Sequence, residues 1–192
     1  MSDKSADSSN LIYQLKITLR DSKPPIWRRV LVPGSFDLYK LHQVIQIVMG
    51  WTDSHLHHFL ADGTYYSFPY PDSDWKDAGE VDSQQVTLAQ IAPHEKRKFT
   101  YEYDFGDSWE HEITVEKILP SETETKYPQC IAGRRACPPE DIGGIWGYYD
   151  FLEALKDPNH DEHDSYIEWW GGEFDPEEFD IGEVNQVLQE IK

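Results

Sequence analysis

Basic side chains are scarce in this 192-residue chain, which has 17 Lys and Arg against 36 Asp and Glu and a formal net charge of −19. Such a surface repels polyanions, so direct nucleic-acid binding through phosphate neutralisation is disfavoured. Cysteine is scarcer still: Cys130 and Cys137 are the whole complement, too few for a disulfide scaffold. Long apolar runs are missing as well. The richest, from Val44 to Trp51, is interrupted by Gln46 and Gly50 and falls far short of the roughly 18 residues a membrane span needs. Residues Met1 to Asn10 are rich in Ser and Asp and lack the basic-then-apolar order of a signal peptide. They read as a disordered tail, residues 1–10, ahead of a single domain over residues 11–192. A cytoplasmic location with no membrane association is the expectation.

What the chain does have is aromatic area, with seven Trp, eleven Tyr and eight Phe, enough to build a core despite the charge. The charge itself is lopsided. Residues 1–100 carry 11 basic and 12 acidic side chains, and residues 101–192 carry 6 and 24. The acidic half favours cations or a basic protein partner, beside the plainer role of a solvated surface.

The patterning predicts an α+β fold: an antiparallel sheet built from hairpins, a first-half helix packed on it, and a helical, acidic C-terminal part. Tyr13, Leu15, Ile17 and Leu19 alternate with polar residues as in a half-buried strand, and Ile26 to Val32 follows as its hairpin partner. Leu38, Leu41, Ile45 and Val48 then share one helical face over 38–49, with Asp37 as N-cap and Gly50 at the end. β-grasp folds open in this way. Asp62-Gly63 marks a second hairpin, and Pro69 to Gln85 reads as a surface excursion. A three-residue loop, Gly106-Asp107-Ser108, would pair Phe105 with Trp109 and Tyr103 with His111, placing both aromatic sets on one face. Pro120 to Trp146 reads as loop, Tyr148, Phe151, Leu152 and Leu155 as a helix stopped by Asp157-Pro158. Asp180 with Glu183 caps a last helix whose buried stripe is Val184, Val187, Leu188 and Ile191.

Five stretches carry a family resemblance: Pro25-Ile26-Trp27-Arg28-Arg29; Trp51 through His55-Leu56-His57 to Phe59; Tyr103-Asp104-Phe105-Gly106-Asp107-Ser108-Trp109-Glu110-His111; Cys130 to Cys137 with Pro138-Pro139-Glu140-Asp141-Ile142-Gly143-Gly144; and Phe174-Asp175-Pro176. In this order they resemble the plasmid pRiA4b ORF-3-like family, whose members also occur as passengers of insertion elements. The resemblance implies an α+β fold and a link to mobile elements, and it brings no activity with it. Some relatives bear a resolvase-like, TnpR-like label. That chemistry needs a nucleophilic Ser in a basic DNA-binding protein, which the net charge of −19 opposes.

His55-Leu56-His57-His58 is the densest group of metal-ligand types. An extended segment would put His55 and His57 on one side, with a third ligand from His111, His94 or a carboxylate. Histidines packed at a strand entrance and bonded to backbone are the plainer reading. Asp104 would face away from His111, leaving Asp107 in the turn to complete a divalent-metal set of His55, His57, His111 and Asp107. The Asp-Phe-Gly triplet at 104–106 lacks every other kinase motif. Cys130 and Cys137 fit a local disulfide, a thiolate activated by Arg134 and Arg135, or plain structural thiols. Gly143, Gly144 and Gly147 precede a helix, yet Glu140 and Asp141 would repel phosphate there. His160 to Asp164 reads as a solvated acidic loop with weak cation-binding character.

Three functions are consistent with these features. The first is a non-enzymatic interaction module for a basic partner, using Trp75, Trp169 and Trp170. The second is a metal-dependent, hydrolase-like enzyme using the His/Asp set. The third is an acidic nucleic-acid mimic presenting Glu173, Asp175, Glu177 and Glu178.

Overall fold

The computed structural model describes residues 11–69 and 79–191. Within these residues eight strands form one sheet: β1 (Leu11–Leu19), β2 (Trp27–Pro33), β3 (His57–Ala61), β4 (Thr64–Ser67), β5 (Val81–Asp82), β6 (Lys98–Tyr103), β7 (Trp109–Pro120) and β8 (Gln129–Arg134). Their order is β5-β4-β3-β6-β7-β1-β2-β8, antiparallel throughout except between β4 and β5. Among the described residues five α-helices accompany it: α1 (Leu38–Met49), α2 (Leu88–Ile91), α3 (Gly144–Lys156), α4 (His163–Trp170) and α5 (Ile181–Leu188). Among the described residues no helix is long and apolar enough to cross a membrane.

Period-two alternation decides which sheet face is buried. Tyr13, Leu15, Ile17 and Leu19 of β1, Phe59 of β3, Tyr101 of β6 and Ile113 of β7 all point into one core. α1 supplies the other side of that core with Leu38, Leu41, Ile45 and Val48, each worth about 1.5–3 kcal/mol when buried. Its ends are set locally: the Asp37 side chain accepts from Lys40 N, and Gly50 takes a left-handed φ of 88°. The opposite sheet face is polar and laced by the ion pairs Arg20–Glu110, Arg29–Glu116 and Lys98–Glu112.

Five local expectations are corrected. Tyr103 pairs with Trp109 and Tyr101 with His111, a two-residue shift from the expected register, so the connection spans residues 104–108. Asp104 ends the ladder because its φ is 55° and its Oδ1 accepts from Gly106 N at 2.9 Å. A shift of two keeps every side chain on its face but strands Phe105, which is 48% exposed. Gln129 to Arg134, expected as loop, is edge strand β8, its outer side covered by Asn185 of α5, which accepts from Cys130 N and donates to Cys130 O. His163 to Trp170 forms α4, leaving only part of the expected acidic loop, and Val187 is exposed instead of joining the buried stripe. Val81–Asp82 and the 3-10 turn Ser83–Gln85 give regular structure to the end of the expected excursion. Trp75 and the N-terminal tail lie outside the described residues.

Candidate metal centre

Two of the motif residues near the N-terminus are architectural. Arg28 is 1% exposed and donates to the carbonyls of Val48, Trp27, Arg134 and Arg135, tying β2 to the end of α1 and to β8. Trp27 lies on the opposite sheet face under Lys16 and Arg29. Cys130 and Cys137 are free thiols. Burial raises both, Cys137 up to about 12, and the cation that opposes the shift is Arg28 rather than Arg134 or Arg135.

The remaining motifs meet at one end of the sheet, where three loops are bonded to one another. The loop after α1 reaches the segment before α3 through Trp51 Nε1, which donates to Pro138 O at 3.0 Å. Glu140 answers by accepting from Thr52 Oγ1 at 2.6 Å and from Tyr103 OH at 2.5 Å. Burial and that carboxylate raise the Tyr103 phenol, so it stays a donor. The β6–β7 loop joins through Asp104 N, which donates to Leu56 O, and Asp107 Oδ2, which accepts from Gly143 N at 3.1 Å. Gly144 is required here: a Cβ would stand 2.5 Å from Asp107 O, on a backbone of φ 70°.

Each loop contributes one ligand to a cluster. His55 Nε2 lies 3.1 Å from Asp141 Oδ1 and 3.7 Å from Asp104 Oδ2. Although 3.1 Å is close, His55 Nε2 has no aligned hydrogen bond and is buried as an atom, so the pair is a proximity rather than a bond. Ligand atoms held about 2.1 Å from one ion stand about 3.0 Å apart at a right angle and about 3.4 Å at a tetrahedral one; the 3.1 Å separation lies inside that range and the 3.7 Å one just beyond it. Asp104 and Asp141 have left-handed φ values of 55° and 60°, which is uncommon outside glycine. With Asp104 Oδ1 engaged by Gly106 N, Oδ2 is the oxygen left to face His55. Asp141 is 69% exposed, so the cluster opens to solvent on its side.

A second cluster lies deeper. His42 Nε2 is 2.8 Å from Asp53 Oδ1 and His42 Nδ1 is 2.8 Å from Tyr101 OH, while His57 stacks on His42 with centroids 3.4 Å apart. Gln46 Nε2 donates to Tyr101 OH at 2.9 Å, and in the tautomer with the His42 proton on Nε2 facing the Asp53 carboxylate, Nδ1 is an acceptor for the phenol O–H. His57 has no hydrogen-bond partner at either ring nitrogen, and burial, with His42 and His58 adding to it, lowers its pKa to about 2.

The set expected from sequence is therefore divided. His55 joins Asp104 and Asp141, and His57 joins His42 and Asp53; these are the three-ligand groups among the described residues. His111 enters neither: fully buried, edge-on to Trp51 at 5.3 Å, it has no aligned partner at either nitrogen. Burial lowers it to about 3 against a partial opposing effect of the Trp109 and Tyr101 carbonyls. Asp107 is spent on Gly143. His42 and Asp53 were missed, although a histidine within the apolar stripe of a helix is itself a readable signal.

Fold and site together define a mixed α/β protein whose mostly antiparallel sheet carries histidine–aspartate clusters at one end. The chain belongs to the plasmid pRiA4b ORF-3-like family, whose model matches residues 11–183. It is 38% identical over 182 residues to the uncharacterized protein y4hQ of Sinorhizobium fredii (strain NBRC 101917 / NGR234), covering 94% of this chain and 92% of that protein. The crystal structure of protein of unknown function MM3350 from Methanosarcina mazei Go1 superposes with a TM-score of 0.81 at 37% identity, over 90% of this chain and 97% of that one.

Proposed function

We propose that this protein binds one divalent transition-metal ion through His55, Asp104 and Asp141 and uses it to activate water in a hydrolase-like reaction. One imidazole and two carboxylates suit zinc, manganese or iron, and three protein ligands leave positions for water and substrate on the exposed Asp141 side. The observation that carries the reading is His55 Nε2, held at ligand-to-ligand separations from two carboxylates without an aligned hydrogen bond to either. Glu140 and Asp107 are the positioning residues, bonding the three loops together. Addition of Co2+ to the full chain tests it: visible d–d absorption saturating with metal, and diminished in His55→Ala by the share of this site, is expected. Absorption unchanged by His55→Ala would remove the site.

A second reading, an interaction module for a basic partner, is supported by the C-terminal surface. A groove there of about 270 Å³ has Trp170 and Phe174 among its walls and Glu173, Asp175, Glu178 and Glu183 around them. Trp169 and Trp170 are 49% and 43% exposed. Cationic side chains suit both the acids and the rings. Binding of an Arg/Lys-rich peptide that vanishes in Trp170→Ala would favour this reading; equal binding by that variant would count against it.

A further inference from the structure

His57 is an expensive residue where it stands. Its side chain is among Tyr39, Phe59 and Tyr101, it is 1% exposed, and neither ring nitrogen has a partner. A neutral imidazole has one N–H to donate and one lone pair to fill, so a phenylalanine would serve the packing at lower cost. The ligand atoms of His57, His42 and Asp53 all lie within 4.8 Å of one another, and this group shares no residue with the His55 cluster.

We infer that His42, Asp53 and His57 form a second, buried site for a divalent zinc-class metal ion. Two imidazoles and a carboxylate are a zinc-type donor set, and the surroundings of His42 supply what such a ligand needs. When Nε2 binds the ion, the ring proton stands on Nδ1, and the Tyr101 phenol oxygen accepts it beside the N–H that Gln46 Nε2 already donates. Asp53 has a left-handed φ of 58°, fixed by Asp53 N donating to Gln46 Oε1 at 3.0 Å, which holds its carboxylate over Nε2. An ion reaches this position past Asp53, whose side chain is 36% exposed and borders a cavity shared with Gln43, Trp51, Val187 and Ile191. The two rings are parallel to within 4°, so their lone pairs do not converge as they stand. Capture requires one ring to tilt about its Cβ–Cγ bond, and His57, without hydrogen bonds, is the ring free to do so.

Zinc titration of the full chain by calorimetry separates this site from the three-loop one. The unaltered chain should take two equivalents, His55→Ala/Asp104→Asn one, and His57→Phe one. Two patterns overturn the second site: no zinc bound by His55→Ala/Asp104→Asn, or a stoichiometry that His57→Phe leaves unchanged. One equivalent that survives His55→Ala/Asp104→Asn and vanishes in His57→Phe would keep this site and remove the other. If His57→Phe does not fold, Asp53→Asn, at a partly exposed position, is read in its place with the same outcomes.

Discussion

The Arg28 guanidinium lies 4.0 Å from the centre of the Phe179 ring, a contact that closes the C-terminal segment over the sheet. Gly133 makes room for it, since a Cβ there would stand 2.4 Å from the same ring. Lysine cannot reproduce a planar group that stacks on Phe179 and donates to four carbonyls. Arg28→Lys should therefore destabilise the protein by about 2–4 kcal/mol, because buried acceptors lose their donors. The midpoint of urea denaturation checks this, and an unchanged midpoint would show that Arg28 is not a clamp.

Much of this arrangement was legible in the sequence, for physical reasons. The α1 boundaries followed from Asp37, Gly50 and a clean helical stripe, and the β1, β6 and β7 faces from strict alternation. Where structure departed from expectation, a long-range or side-chain interaction had outweighed the local pattern. β8 exists because β2 and Asn185 pair with it, which its own sequence, preceded by Pro128 and carrying Gly133, does not announce. The 104–108 loop was misjudged by two residues because Asp104 bonds to Gly106 N instead of continuing the ladder. Metal-ligand candidates were seen as a histidine run, but His55 precedes β3 and His57 lies within it, so the two side chains enter different clusters. Asp141 was visible only as part of a motif, because its partner His55 is 86 positions away and no spacing rule links them.

Acid should weaken the fold earlier than carboxylate titration alone would. His57 and His111 are held neutral, their pKa values lowered from 6.5 to about 2 and about 3. Below 6.5 the unfolded chain binds protons that the folded one refuses, so stability is full above that pH and falls as pH drops toward the folded values. The slope is about 1.4 kcal/mol per pH unit for each histidine. With a chelator present, unfolding free energy should drop by about 2–3 kcal/mol between about pH 7 and about pH 5.5. His57→Phe/His111→Phe should flatten the profile. A wild-type profile already flat over this interval would contradict neutral burial of the two rings.

Glu140 should matter to metal and fold together. Glu140→Ala frees Tyr103 OH, Thr52 Oγ1 and Thr52 N, three donors to one carboxylate, so a loss of about 2–4 kcal/mol is expected. Because it also loosens the loops that carry His55 and Asp141, metal affinity should fall by about 10–100-fold. Glu140→Gln should recover part of both. Calorimetric titration beside thermal melting reads the two effects, and unchanged affinity in a folded Glu140→Ala protein would show that the loops do not position the ligands.

Both cysteines should be slow nucleophiles. Burial raises each thiol and no arginine overcomes it, so near pH 8 a disulfide reagent should label the folded protein far more slowly than the urea-unfolded chain. Rapid labelling of Cys137 in the folded state would contradict this.

The central claim is that His55, Asp104 and Asp141 hold a metal ion, and it is tested most directly by metal content. Untagged protein purified without chelator is analysed by mass spectrometry for zinc, iron and manganese, and its melting temperature is read before and after EDTA. The account predicts bound transition metal, a lower melting temperature after EDTA, and loss of at least one equivalent in His55→Ala/Asp104→Asn. Metal-free protein that takes up no added zinc, iron or manganese and melts at the same temperature with and without EDTA would contradict it.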